Sequence, residues 1–334
     1  MKKILGVITL FLTFLLITLT IFQSTQDTSS KPNGDAYSRA TTNTAQSSVL
    51  PSYSPITFSV LGDIHRDSAA LENALKDLYR INSQSDLLVL NGDIVDEGLD
   101  AQYDIIKNCL LENTLILPKT VIKNIGNHEF YNYAKGPNSP SDVDELISRQ
   151  LDFSNEKKPY HDVWIKDYHF ISLGSEQSYT PELGSMQAYI STEQQKWLKE
   201  KLAEKHQLGR PIFVFLHQPL SGNATGQRSG MVGAKQNEEI MNILSEHPEV
   251  IIFSSHSHTF LDSNSLIYFR QPFVAIHSGA VYNPLKIDDK GKRQPVEGSQ
   301  GLYVELNYDK LVIRGRDFRN KSWIEGVIFT RDLK

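Results

Sequence analysis

The sequence predicts an α/β fold whose first half pairs its strands mostly in parallel, and three observations carry that reading. Short apolar runs at 56–61, 87–90 and 121–125 are each followed closely by a glycine. Amphipathic stretches of helical length separate the runs. Polar residues gather where the runs end, which is where open α/β sheets place ligand-binding loops.

Taken in order, Ile56, Phe58 and Val60 precede Leu61 and Gly62 as a first strand. A helix follows over 68–81, with Leu71, Ala74, Leu75 and Leu78 on one face and Ser68 placed to cap it. Leu87 to Leu90 is a buried strand halted near Gly92, and a helix over 100–112 and a strand over 121–125 repeat the unit. Strand-like runs lie within 163–173. A helix over 192–203 is opened by Ser191 and Gln194 at capping-box spacing. Ile212 to Leu216 is a further buried strand. The Gly- and Ser-rich 221–236 reads as a loop, after which a helix leads to a strand over 250–253. Alternating runs at 302–306, 311–314 and 324–329 complete a sheet as a meander.

Composition narrows the function classes. With 334 residues, 40% of them hydrophobic and 22% charged, the chain has the makeup of a globular protein with one sizeable core. A net charge of −5 and a pI near 6.1 disfavour binding to bulk nucleic acid. The lone Cys109 excludes an internal disulfide framework and any multi-thiolate zinc site, so metal ligands must come from histidine and carboxylate. Cys109 falls in a helical pattern with Tyr103, Ile106 and Leu110 and reads as packing.

The N-terminus reads as an export signal. Lys2 and Lys3 precede an apolar run of 19 residues, Ile4 to Phe22. That run exceeds the roughly 7–15 residues of a cleavable core, approaches the roughly 20 that span a bilayer, and has no A-x-A-like site after it. Residues 1–22 are therefore a signal peptide or a signal anchor. The positive-inside rule places the remainder outside, either anchored to the outer face of the cytoplasmic membrane or secreted. Residues 23–54 hold 13 Ser or Thr in 32 positions and read as a disordered tether. Residues 55–334 form the folded domain.

Five segments carry chemistry: GDIH at 62–65, NGD at 91–93, GNHE at 126–129, FLHQP at 215–219 and SHSH at 255–258. Each follows an apolar run, and together they hold five of the ten histidines. Asp63 and His65 are two apart, as are His256 and His258, so each pair can reach one ion from an extended stretch. Asp93 offers a carboxylate able to bridge two ions, and Asn127 offers a neutral carbonyl oxygen. Singly, an Asp after a strand is more often a turn or cap residue, and His217 alone more often a core histidine. Together they point to one site for divalent metal ions.

The sequence resembles the calcineurin-like metallophosphoesterase family, whose ordered signature is D-x-H, G-D, G-N-H-[DE], a lone H and G-H-x-H. The resemblance covers about 56–285. It implies a four-layer α/β/β/α sandwich with two mixed sheets and a binuclear metal centre. It assigns one ion to Asp63, His65, Asp93 and His258, the other to Asp93, Asn127, His217 and His256, and makes His128 a catalytic residue outside both coordination sets. Ser255 stands where the family has glycine and puts the local turn in question. Purple acid phosphatases carry a tyrosine in the region of Asp96 and lack the histidine at His65, so that subgroup is disfavoured.

The implied chemistry is hydrolysis of a small phosphate diester or monoester, a nucleotide among the candidates, by water activated between two divalent ions such as Mn, Fe or Zn. A non-catalytic metal-dependent binding or scaffold module of the same fold is the alternative. Glu129 and Asp67 can orient imidazoles or merely face solvent. Tyr131 and Tyr133 pack in a loop or line a pocket for a flat leaving group, and His277, Ser278 and Gly279 contact a phosphate or simply end a strand.

Overall fold

The computed structural model describes residues 53–220, 233–269 and 272–333. The expected leader at 1–22 and nearly all of the 23–54 tether lie outside those residues, as does most of the loop at 221–236. Among the described residues no helix is long and apolar enough to cross a membrane.

The chain runs β1 (Tyr53–Leu61), α1 (Ser68–Ile81), β2 (Leu87–Asn91), α2 (Asp100–Glu112), β3 (Thr120–Asn124) and α3 (Pro140–Ser154). Next come β4 (His161–Ile165), β5 (Tyr168–Ser172), α4 (Thr192–Ala203), β6 (Ile212–Phe215), α5 (Asn237–Ser245) and β7 (Val250–Ser254). The remainder is β8 (Ile267–Phe269), β9 (Val274–His277), β10 (Leu285–Ile287), β11 (Arg293–Pro295), β12 (Gln300–Tyr308), β13 (Lys310–Asp317) and β14 (Ser322–Asp332).

Two six-stranded mixed sheets result, ordered β14-β13-β12-β1-β2-β3 and β4-β5-β6-β7-β9-β8, with β10 and β11 as a separate hairpin. In the first sheet β1, β2 and β3 are parallel and the C-terminal meander joins β1 antiparallel through β12. In the second, β5, β6, β7 and β9 are parallel.

Alternation along the strands explains the layering. Ile56, Phe58 and Val60 point into a shared core with Phe170, Phe213, Phe253 and Val304 from both sheets. Phe58 meets Phe213 at 4.8 Å and Phe170 at 5.2 Å between ring centroids, contacts of the kind whose truncation costs about 3–5 kcal/mol. On the outer face of the first sheet, Leu88 and Leu90 receive Leu71 and Leu75 of α1 and Tyr103 and Ile106 of α2. On the outer face of the second, Val214 and Ile252 receive Leu198 and Leu202 of α4 and Ile240 and Leu244 of α5. The four-layer α/β/β/α sandwich is the observed fold.

Local details depart from the sequence reading. Asp67, not Ser68, caps α1: its carboxylate accepts from the Ala70 N–H at 2.9 Å. Ser191 caps α4 by accepting from the Gln194 N–H, but the Gln194 side chain turns to the Gly174 backbone instead of closing a box. Helix α3 has no counterpart in the sequence reading.

Candidate metal centre

The carboxyl ends of β1, β2, β3, β6 and β7 converge, and each of the five motif segments leaves one of them. Backbone bonds lash the loops together. The N–H groups of Ile64 and His65 both donate to the Asp93 carbonyl, and the Ser255 N–H donates to the His217 carbonyl. Gly126 is demanded by packing, since a Cβ there would lie 2.3 Å from Asp93 Oδ1. Gly62 lacks the Cβ that would sit 2.1 Å from Ser255 Oγ. Ser255 keeps an ordinary backbone angle, and its hydroxyl accepts from Asn91 Nδ2 at 3.1 Å and pairs with Ser278 at 2.7 Å. The serine thus tightens the turn that its presence put in question.

Five residues of the motifs hold left-handed backbone conformations: Asp63 (φ 53°), His65 (50°), Asp93 (49°), His256 (67°) and His258 (51°). Asp and His tolerate this region better than most residues, yet each instance costs of order 1–3 kcal/mol. Five such residues in one cluster mark a place where side-chain direction outweighs backbone comfort.

Three groups of possible ligands overlap here, one of them His65, Asp96 and His128, and the other two contain the expected residues. Asp63, His65 and His258 lie together, as do Asp93, His217 and His256, with ligand atoms in each group within 4.8 Å of one another. Asp93 Oδ2 sits 3.0 Å from His217 Nε2 and 4.0 Å from His65 Nε2, between the groups. Asn127 donates from Nδ2 to the Tyr131 hydroxyl at 2.8 Å, which turns its Oδ1 to within 2.8 Å of His256 Nδ1. All seven residues expected from the sequence are therefore brought to one place.

The imidazole tautomers decide what this place can hold. His217 Nδ1–H donates to the Asn91 carbonyl at 2.8 Å, His258 Nδ1–H to the carbonyls of Tyr282 and Asn283 at 3.1 Å, and His65 Nδ1–H to Asp96 Oδ1 at 2.8 Å. Each then turns Nε2 inward, as a lone pair when the ring is neutral and as an N–H that a bound cation displaces when it is protonated. His65 Nε2 and His258 Nε2 stand 2.9 Å apart, so two lone pairs face each other, an arrangement that a cation or an added proton must relieve. Asp63 Oδ2 is buried without a hydrogen-bond partner, and His217 Nε2 has only Asp93 Oδ2, 3.0 Å away. Buried imidazole and carboxylate lone pairs with outer N–H groups anchored fit a divalent metal ion.

Electrostatics follow from burial and crowding. Burial alone would lower the His217 pKa, but the charge and hydrogen bond of Asp93 carry it up to about 9. Burial would raise the Asp93 carboxyl, and the surrounding His217 and His128 hold it well below the usual carboxylate range. Burial and the nearby His217 push His256 down to about 3, keeping it neutral.

His128 lies beside both groups and in neither donor set of the expected pair. Its backbone N–H donates to Asp93 Oδ1 at 2.9 Å, its Nδ1–H donates to the Asp96 carbonyl at 3.0 Å, and its Nε2 lies 4.0 Å from Asp93 Oδ2. Burial lowers its pKa, with Asp93 opposing.

Several roles escaped the sequence reading. Asp96 anchors His65 through its carboxylate and His128 through its carbonyl. Its position three residues after Asp93 was the available signal. Glu129 is fully buried and its hydrogen bonds go to backbone N–H groups, not to an imidazole. Its two oxygens accept from the N–H groups of Gly126 (2.6 Å), Ile94 (2.7 Å), Asp93 (3.1 Å) and Val95 (3.4 Å), clamping two motif loops. Burial and the Asp93 charge push its carboxyl up to about 7. Asp67 is a helix cap and orients no imidazole. Tyr131 is buried as loop packing, whereas Tyr133 is exposed. His277 is buried against Ser257 and accepts from the Gly279 N–H, supporting the H-x-H loop from beneath. Cys109 is buried, and burial raises its thiol to about 11.

The sequence matches the family model for calcineurin-like phosphoesterases over residues 56–260. No curated protein matches it. Among solved structures it is similar to a dimetal phosphatase from Danio rerio, at 15% identity over 84% of this chain and 99% of that one, with a TM-score of 0.54. It is also similar to GAP50, the anchor in the inner membrane complex of Plasmodium, at 14% identity over 84% of this chain and 89% of that one, with a TM-score of 0.50. At these identities the likeness is one of fold.

Proposed function

Because the chain belongs to the calcineurin-like phosphoesterase family, we propose that it is a working hydrolase of small phosphate esters and that seven named side chains hold its metals. Asp63, His65 and His258 serve one ion, Asn127, His217 and His256 the other, and Asp93 serves both. The observation that carries this reading is the inward set of anchored imidazoles, with the His65 and His258 lone pairs 2.9 Å apart. Divalent ions held there supply Lewis acidity and a water of lowered pKa.

The chain's own residues do the rest. Asp96 and the carbonyls of Asn91, Tyr282 and Asn283 fix the imidazole tautomers. His128, pinned through Nδ1 with Nε2 turned toward the centre, delivers a proton to the departing ester oxygen after protonation at Nε2. Glu129 keeps the loops that carry Asp93 and Asn127 in register.

The substrate is a small diester or monoester, with a nucleotide as the first candidate. The basic flank and apolar run at the N-terminus support action outside the cytoplasmic membrane. The rival is a non-catalytic binding or scaffold module of the same fold, and the similar Plasmodium protein is an anchor in the inner membrane complex. Full-length protein assayed on bis(p-nitrophenyl) phosphate and p-nitrophenyl phosphate, with and without Mn²⁺, separates them. Mn²⁺-dependent turnover of either ester is expected, and its absence on both favours the scaffold.

A further inference from the structure

Tyr133 and Tyr282 present their rings to solvent beside the centre, Tyr133 against His128 and Tyr282 against His65. The Tyr133 hydroxyl lies 3.4 Å from His128 Nδ1, and the Tyr282 ring lies 5.6 Å from that of His65. The two imidazoles between them meet edge to face at 4.4 Å. Both tyrosines are far more exposed than core packing requires, 61% for Tyr133 and 44% for Tyr282, while neighbouring Tyr131 is 7% exposed with its hydroxyl bound to Asn127.

Exposure here does not mean slackness. The Tyr133 N–H donates to Glu97 Oε1 at 2.6 Å. The Tyr282 N–H donates to the Asp63 carbonyl at 2.9 Å, and its own carbonyl accepts from His258 Nδ1. Both backbones are thus tied to the motif loops or to the Glu97 carboxylate just past them. A tyrosine on a fixed backbone has few torsions left to order, so it offers a large flat surface at low entropic cost. Two such rings flanking one imidazole pair suit a flat partner attached to a phosphoryl group in the centre.

We propose that Tyr133 and Tyr282 form a subsite for a planar aromatic ring carried by the phosphate ester. The proposal rests on the phosphoesterase reading for the phosphoryl end of the ligand. A nucleobase and a simple aryl group share the required flat face.

The test compares ligands that differ in flatness but hardly in size or leaving-group basicity. Binding of 2-phenylethylphosphonate and 2-cyclohexylethylphosphonate to the Mn²⁺-loaded full chain is measured by calorimetry, and hydrolysis of the corresponding phosphate esters is followed in parallel. The flat member is expected to bind more tightly, and Tyr133→Ala and Tyr282→Ala each to lower that preference by about 5- to 100-fold, the range for loss of one stacking ring. Tyr133→Phe and Tyr282→Phe should retain it. A wild-type preference near one, or a preference untouched by both alanine variants, overturns the subsite. So does an equal loss in the phenylalanine variants, which would assign the effect to the hydroxyls. Adenosine 5′-monophosphate against ribose 5-phosphate, measured in the wild type and in both alanine variants, separates the sources: a base preference lost in the variants assigns a nucleobase, one untouched by them a simple aryl group. If the wild type hydrolyses neither these esters nor bis(p-nitrophenyl) phosphate, the phosphoesterase reading falls while the phosphonate ratio still decides the subsite.

Discussion

Replacing Glu129 by glutamine should unfasten the centre while changing the side chain by a single group. The carboxylate is fully buried, and both its oxygens accept backbone N–H groups, Gly126 and Asp93 on one and Ile94 and Val95 on the other. A glutamine oxygen can serve one of these pairs. Its amide nitrogen would then confront the other pair, leaving two buried donors unmatched. At about 1–3 kcal/mol for each buried polar group left unsatisfied, Glu129→Gln should lose about 2–6 kcal/mol of stability. Urea denaturation of the metal-free protein well above pH 7, where Glu129 is ionised, reads that loss as a lower midpoint with little change in slope. The same clamp holds the loops bearing Asp93 and Asn127, so Mn²⁺ affinity should fall as well. A midpoint within the equivalent of 1 kcal/mol of wild type, with unaltered Mn²⁺ affinity, would refute the clamp.

His128→Ala should keep its metal while losing about 100-fold or more on an alkyl phosphate ester and much less on a p-nitrophenyl ester, whose leaving group needs no proton. Equal losses on both would make His128 a phosphate-positioning group. His161 is largely buried with neither ring nitrogen hydrogen-bonded, the Glu156 carboxylate standing 3.8 Å from Nε2, and burial depresses its pKa to about 4. The unfolded chain therefore takes up the proton first, and stability falls as pH drops from about 6.5 toward 4, by at most about 3 kcal/mol. His161→Phe should remove that component, so its stability advantage over wild type should grow across this window in chelator-treated samples. A pH-independent difference would contradict it. External protease added to intact cells should digest the folded domain if the N-terminal run directs export, and protection of residues 56–334 would exclude that topology.

Much of this fold was legible because strand ends and chemistry coincide. The helices at 68–81, 100–112 and 192–203 have the bounds that apolar spacing implied. The five motif segments meet because each ends a strand in one of two facing sheets. Helix α3 was not read, although Ser139 and Asp142 form a capping box around Pro140 at the first position. Its apolar residues Val143, Leu146, Ile147 and Phe153 also keep helical spacing, so cap and pattern together were a legible signal. The short strands β8, β10 and β11 hold too few residues to show a pattern. Asp96 and Glu129 were hidden for another reason. Their partners lie 31 to 36 residues away in sequence or are backbone groups, which leave no mark on residue type. The left-handed angles at Asp63, His65, Asp93, His256 and His258 were equally silent, since only glycine advertises that conformation.

Metal content measures directly whether this chain holds the two proposed ions with Asp93 serving both. Chelator-stripped protein re-equilibrated with Mn²⁺, desalted and analysed for bound metal should carry two ions per chain, as expected of the family's binuclear centre and the two ligand groups. Asp93→Asn should weaken both sites together and remove nearly all turnover. A wild type that binds one ion or none, or an Asp93→Asn variant that keeps both ions and its rate, would contradict the account.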